Sequence, residues 1–417
     1  MTSQRAPARI RRSVPLPDSI KDRLRNVSLP RRLWTSYRRA QVEREYRLRR
    51  DYYQRAASER GIAYSDEETT SAVRARLSAR GYTVPRRTSG EVHTFICTPL
   101  VAWHGDLVTE LRELGLVTHF DYVARGFSVE QLTRGGASAA AARNEMLAQL
   151  RSAFADAHAR RPVDWMFCYG GGQDFSPAVI AELTETYGIP TVCLSLDDKQ
   201  GWAGDDVGGW RTGAADITAS FDLFITSSRI ACEWHLVEGG RPLHLPPGYC
   251  PRTYHPTGAA RDLDVSFVGA SYGFRPELVG ELRRAGIAVT TFGAGWPAGR
   301  VSDSNAVFNR SKVNLGMGGI EYSEGLTTIK GRDFEVPAAG GGLYLTSFDA
   351  DLARFFAVGE EIVCYGSRRE LVELVLYFLR NQDEAAAIAA RAYERSVREH
   401  RWLHRFQRIL GILDILE

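Results

Sequence analysis

The chain has 417 residues, 44% of them hydrophobic and 25% charged, with a formal net charge of +3. That length fits two domains plus an additional piece, and the composition excludes a disordered, fibrous or disulfide-scaffold protein. No apolar run approaches the ~20 residues that a bilayer-spanning helix needs.

The charge is unevenly spread. Residues 1–90 carry 22 Lys and Arg against 9 Asp and Glu, and the remaining residues reverse the balance, 31 against 41. A basic arm is therefore attached to a mildly acidic body. Such an arm either docks on that body or touches an anionic partner, a membrane surface or a nucleic acid. Docking or solvation is the plainer reading, and nucleic acid the weaker partner. Residues 1–30 hold four prolines and many arginines and are expected to be poorly ordered. Residues 31–60 combine strong helix formers with Trp34, Tyr37, Tyr46, Tyr52 and Tyr53 at helical spacing, and Gly61 ends the helix. Aromatics among arginines fit nucleic-acid binding, but more simply form one packing face. A second helix, 67–80, stops at Gly81. The opening MTSQRAPARIRRS has no apolar segment after its basic residues, unlike a signal peptide. The six cysteines include no C-x-x-C and no zinc spacing with His. Cys97, Cys168 and Cys193 sit inside apolar strands, as small hydrophobes of a reducing compartment do. A cytoplasmic protein is expected, with any membrane contact peripheral, against the inner face.

From residue 91 strands and helices alternate. Expected strands are His93–Thr98, Val117–Val123, Trp165–Tyr169, Thr191–Leu196, Asp222–Thr226 and Leu243–Leu245. Between them lie a loop at 103–106 with a helix to Leu114, an Ala-rich helix over 137–159, a helix capped by Ser176 and ended by Gly188, and a helix over 229–238 capped by Ser227 or Ser228. Residues 251–263 read as a linker. A second series follows, with strands Val265–Gly269, Ala288–Phe292, Val313–Leu315, Leu343–Thr346 and Glu361–Tyr365, helices 275–285 and 302–312, and closing helices 367–381, 383–399 and 401–416. Repeated βαβ units mean an α/β fold with two Rossmann-like parallel sheets. The domains expected are a basic helical extension at 1–90, a first Rossmann-like domain at 91–250, a second at 262–400, and a closing helix at 401–417. Ligands of such sheets bind at the carboxyl ends of the strands, and the two domains are expected to face a cleft.

One segment concentrates the chemistry. In EYSEGLTTIKGRDFEVPAAGGGLYLTSF (321–348) a loop with Gly325, Thr327 and Thr328 leads to Lys330, Arg332 and Glu335, and Gly340, Gly341 and Gly342 close it. Phosphate oxygens are bound by backbone N–H groups at a helix start and by cations, and ribose hydroxyls by a carboxylate. The segment therefore reads as a holder for a nucleotide diphosphate. A surface helix with a Gly stop is the plainer alternative. Pro337 implies a short or kinked helix.

Gly269, Ser271, Tyr272 and Arg275 form the loop after the first strand of the second domain. Glycine there permits close approach and Arg275 can reach a phosphate, or the loop is simply a tight turn. Gly293 and Trp296 border a nucleobase, or Trp296 is a core residue. Lys330 and Arg332 either bind the diphosphate or pair with Asp333 or Glu324. A base for an acceptor hydroxyl would come from His104 with Asp106 beside it, Asp106 being alternatively a helix N-cap. Asp198 and Asp174, at other strand ends, are rivals. The adjacent Asp197 and Asp198 do not form a metal pair on a strand, no Asp-x-Asp element is placed for a metal, and His400 and His404 read as packing or surface residues.

The blocks DVSFVGASYGFR, FGAGW, FNRSKVNLGM, KGRDFEVPAAGGGLYLT, GEEIVCYGSRREL and EHRWLHRF, in that order across residues 262–410, resemble the C-terminal half of the CgeB-type glycosyltransferases. These are a spore-maturation-related branch of the GT-B superfamily. The resemblance implies metal-independent transfer of a sugar, hexosyl or N-acetylhexosaminyl, from a nucleotide-diphosphate donor to a glycan, protein or small-molecule hydroxyl. It implies a second domain that binds the donor, a first that binds the acceptor, and a last helix that crosses back. Glu335 falls where retaining members place the ribose-holding Glu of a Glu pair; eight residues earlier this chain has Thr327, a departure that leaves the stereochemistry open. No cofactor beyond the co-substrate is implied. A non-catalytic scaffold and a sugar-nucleotide epimerase are the alternative functions.

Overall fold

The computed structural model describes residues 28–82, 85–99, 104–133, 136–172, 174–204, 206 and 211–416. The expectation for residues 1–27 lies outside them. The chain divides into two compact units. One takes in, of the described residues, Tyr46–Pro246 and 402–416; the other takes in 28–45 and Pro247–Arg401.

The first unit holds a six-stranded parallel sheet: β1 (Val92–Cys97), β2 (Gly115–Phe120), β3 (Trp165–Tyr169), β4 (Thr191–Ser195), β5 (Leu223–Thr226) and β6 (Pro242–His244), in the order β2-β1-β3-β4-β5-β6. Strands that are buried on both faces read as continuous apolar runs, which is why β1, β3, β4 and β5 were legible. Successive side chains divide between the faces. Phe95, Cys97, Met166, Cys168, Cys193 and Phe224 pack with Leu150, Phe154, Ile180 and Trp234. Ile96, Trp165, Phe167, Leu194 and Ile225 pack with Leu107, Leu111, Phe406 and Leu410 on the other face. Phe406 and Leu410 come from the helix Trp402–Ile412, so that closing helix is core to this unit.

Helix α1 (Ser28–Glu59) and the helix Asp66–Ala79 do not stand apart as an extension. Tyr53, Ala56 and Ala57 lie in the first unit's core, and Val73 and Leu77 under its second face. Arg76 and Arg80 donate to the buried Asp222 at 2.8 and 2.9 Å, and Arg87 to the buried Asp164 at 2.9 Å. Asp222 also accepts the Thr191 N–H at 2.9 Å, and Asp164 that of His93 at 2.7 Å. Part of the basic charge, at Arg76, Arg80 and Arg87, is thus tied to carboxylates at the amino ends of β3 and β5.

The second unit holds a five-stranded parallel sheet in the order β13-β12-β9-β7-β8, from β7 (Leu263–Val268), β8 (Val289–Phe292), β9 (Ser311–Leu315), β12 (Leu343–Ser347) and β13 (Val363–Tyr365). Helices Arg275–Arg284 and Arg368–Arg380 cover one face through Leu278, Leu282, Leu371 and Val375. Helix Arg332–Ala339 lies on the other, with Phe334 and Val336 against Phe356 and Tyr344. The segment expected as a loop at 321–328 is instead an antiparallel hairpin, β10 (Gly319–Ile320) with β11 (Ser323–Thr327). Within this unit α1 reaches the hairpin: Arg38 pairs with Glu321 at 3.3 Å, and Ser323 donates to Glu43 at 2.7 Å.

Candidate functional site

The carboxyl end of β7 is where the second unit's polar chemistry gathers. Arg332 opens its helix and donates through Nε to the carbonyl of Val268, the last residue of β7, at 3.3 Å. Its guanidinium also pairs with Glu335, one turn further on. Glu335 is buried, and its carboxylate folds back over the start of its own helix: a Cβ on Gly331 would lie 2.9 Å from Glu335 Oε1. Amide N–H groups at a helix start favour negative charge there. Arg332 pairs with Glu335 rather than with Asp333 or Glu324, and Glu324 pairs with Arg368.

Asp333 organises the approach to this helix. It is buried and accepts the Lys330 N–H at 2.6 Å, the Tyr344 hydroxyl at 2.6 Å and the Thr346 hydroxyl at 3.3 Å. Burial pushes its carboxyl up to about 6, against these hydrogen bonds. The Lys330 side chain is half-buried, and Thr328, buried, bonds by its N–H to the Gly318 carbonyl at 3.0 Å. Thr327 donates to Asp349 at 2.8 Å.

Beside Arg332 lies the loop after β7. Arg275 is buried, donates to the Ala270 carbonyl at 3.1 Å, and stacks over the half-exposed Tyr272 ring at 4.4 Å. Ser271 bonds by its N–H to the Ala294 carbonyl at 2.8 Å. Gly293 has φ of 132°, and a Cβ there would lie 2.3 Å from the Gly269 carbonyl oxygen, so the turns after β7 and β8 touch backbone to backbone. Trp296 closes that contact by donating to the Gly269 carbonyl at 2.8 Å, edge-on to Phe267. Gly269, Ser271, Tyr272, Arg275, Lys330, Arg332 and Glu335 therefore meet at one sheet edge.

Three donor-site expectations need correction. Trp296 is a core residue whose indole N–H is spent on the backbone. Gly340 is the left-handed cap of the helix Arg332–Ala339, with φ of 64°, and Gly341 packs where a Cβ would lie 2.4 Å from the Phe308 carbonyl. Both lie at the helix's carboxyl end, which repels phosphate, so their role is packing.

In the first unit, His104 is the first residue of the helix His104–Leu111 rather than part of a preceding loop. It is buried at the carboxyl end of β1. Its Nδ1–H donates to the Pro99 carbonyl at 2.7 Å, which leaves Nε2 as the acceptor of a neutral ring. Burial lowers its pKa below the ordinary value, and the Tyr169 ring stands edge-on at 4.6 Å. Asp106 is buried in the first turn of the same helix and is not its N-cap. Ser176 and Ser228 stand at N-cap positions but make no side-chain cap bond.

The rival bases are enclosed. Asp174 clamps its own loop, accepting the Tyr122 hydroxyl at 2.8 Å and the Gly171 N–H at 2.9 Å. Asp198 lies beyond β4 in a four-residue helical turn, fully buried. It accepts from Ser195 at 2.6 Å and from His235 Nε2 at 3.1 Å, while His235 Nδ1 faces the Thr218 hydroxyl at 2.8 Å. Burial alone would raise the Asp198 carboxyl; His235, with Ser195 and Thr226, holds it below the usual range. A carboxylate so enclosed is a structural anchor. His235 went unnoticed in the sequence because 37 residues separate it from Asp198. Among the described residues no group of three or more His, Cys, Asp or Glu could hold a metal ion, and no helix is long and apolar enough to cross a membrane.

Two parallel α/β units, with six- and five-stranded sheets and helices on both faces, are the GT-B fold. A sucrose-phosphate synthase from Thermosynechococcus elongatus is similar, with a TM-score of 0.54 at 13% identity over 78% of this chain and 99% of that one. HepE of Anabaena, solved with UDP and glucose, gives 0.51 at 13% over the same shares. A glycosyltransferase from Rickettsia africae gives 0.50 at 10% over 77% and 98%. At such identities the likeness defines the fold alone. More particularly, residues 275–411, which contain Arg275, Lys330, Arg332 and Glu335, match the family described as Glycosyl transferase-like. The comparison with curated proteins gives no match.

Proposed function

We propose that the protein transfers a sugar from a nucleotide-diphosphate donor to an acceptor hydroxyl, without a metal. The observation that carries this reading is the pairing of the partly exposed Arg332 with the buried Glu335 at a helix start, inside the stretch that matches Glycosyl transferase-like proteins. In this reading Glu335 receives the ribose hydroxyls. Lys330 and Arg332, with Arg275 behind them, offset the charge that develops on the leaving diphosphate, a role that preorganised cations fill in place of a metal. Thr327 and Thr328 position the Lys330 loop, and Gly269 and Gly293 let the backbone approach the donor. His104 Nε2 takes the acceptor proton, with Asp106 in the same helical turn. The order of sequence blocks over 262–410 supports the CgeB-type branch and a hexosyl or N-acetylhexosaminyl donor. HepE's ligands make UDP-glucose the first donor to try.

The test is a melting-temperature panel of nucleoside diphosphates and their sugars with EDTA present, on wild type and Glu335→Ala. A ligand that binds only the native state adds about 2.7 kcal/mol at a hundredfold excess over its dissociation constant. The expected result is a shift with one base family that is lost in the variant and insensitive to EDTA. Absence of any nucleotide shift would remove the donor site and favour the scaffold reading; turnover of the donor sugar without an acceptor would favour an epimerase.

A further inference from the structure

The outer face of α1 has no role in the donor or acceptor chemistry above. Its inner face is fixed: Trp34, Arg49, Tyr53, Ala56 and Ala57 are buried, and Arg49 donates to the Lys199 carbonyl at 2.9 Å. Helix geometry then determines what faces outward. Leu33, Tyr37, Arg44, Arg47, Leu48 and Arg55 fall within about 100° of arc, and all six are exposed. Leu33, Tyr37 and Leu48 are 67%, 51% and 44% exposed, which places three of the most exposed large hydrophobic side chains on one stripe. The acid on this stripe, Asp51, is paired with Arg50 at 2.8 Å, so the face stays cationic. The residues before Ser28 add seven Lys and Arg against two Asp.

We propose that this stripe docks on an anionic lipid surface, with α1 lying in the plane of the headgroups. Arginine stems reach outward to phosphates while Leu33, Tyr37 and Leu48 enter the acyl boundary. The aliphatic pair decides between lipid and nucleic acid. Leucines gain nothing from a phosphodiester backbone, whereas burial in acyl chains is favourable for each. Complementary charge supplies the rest, because each basic residue near an anionic leaflet adds attraction that salt screens.

The experiment is co-sedimentation of the full chain with vesicles of phosphatidylglycerol in phosphatidylcholine, and with phosphatidylcholine alone. The variants are Leu33→Ser with Leu48→Ser, and Arg44→Glu with Arg47→Glu. All four positions are solvent-facing, and unchanged melting of each variant confirms that the fold is kept. The expected result is binding to the anionic vesicles only, weakened by at least about 10-fold in each double variant, as the loss of two such contacts implies. Equal binding to both vesicle types, or loss in the arginine variant with none in the leucine variant, would overturn insertion of this face. So would salt-sensitive binding to single-stranded RNA in the absence of vesicle binding.

Discussion

His104 and Asp198 were rivals in the sequence, and their surroundings separate them. His104 commits Nδ1–H to the Pro99 carbonyl, and burial holds its ring neutral. A general base contributes roughly 10²–10⁴-fold, so His104→Ala should lower kcat by about that factor while donor affinity stays unchanged in calorimetry. The acid limb of the wild-type pH–rate profile should fall below the ordinary imidazole value of 6.5, since the folded pKa is lowered, and should vanish in the variant. The same shift makes His104 cost stability as pH falls below 6.5, where the unfolded chain binds the proton more readily. Asp198 behaves oppositely. Its folded pKa is lowered, so its stabilisation is present above the unfolded value of 3.8 and is lost as pH falls through the folded one. Removal of one partner from a buried pair costs about 3–5 kcal/mol. Asp198→Ala should therefore lower the denaturant midpoint sharply while turnover per folded molecule persists; loss of turnover with the midpoint intact would return Asp198 to the chemistry.

At the scale of elements, the turns after β7 and β8 are the tightest part of the second unit. Gly293→Ala would put a methyl 2.3 Å from the Gly269 oxygen at a φ of 132°, a conformation that costs of order 1–3 kcal/mol before any clash. It should lower the melting temperature and weaken nucleotide binding together, whereas Gly280→Ala, in open space on a helix, should do neither. These elements also mark how far the sequence could be read. Strands β1, β3 and β4 were legible because burial on both faces makes an unbroken apolar run. Hairpin β10–β11 was not, since Ser323–Thr327 has neither a run nor an apolar alternation and is held by pairing and by α1. The Gly340–Gly342 run was misread because the same residues serve a phosphate loop and a helix stop; only the direction of the helix distinguishes the two. Arg332 and Glu335 were visible one turn apart, but their mutual pairing was not. Nothing in the local pattern chose Glu335 over Asp333 or Glu324.

For the molecule as a whole, none of the six cysteines forms a disulfide and five are buried, with Cys364 half-buried. Burial raises the thiols of Cys97, Cys168, Cys193 and Cys232 well above their ordinary value, which suppresses the reactive thiolate. Reductant should leave the melting temperature unchanged, and iodoacetamide should modify Cys364 first in native protein, as read by peptide mass; early modification of Cys193 would contradict the burial. Of the two readings of the basic first 90 residues, docking on the body is what the described part of them shows, at Arg76, Arg80 and Arg87. Composition reports how many arginines there are, whereas Arg76, Arg80 and Arg87 find their carboxylates only through the fold.

That anatomy governs how the protein should be cut. A truncation at residue 90 would excise Tyr53, Val73 and Leu77 from two hydrophobic layers and strip the buried Asp222 and Asp164 of their arginine partners. Any activity lost by such a shortened chain would report misfolding rather than a missing recognition arm. An affinity tag at the carboxyl terminus has to spare Ile415, which the first unit buries completely.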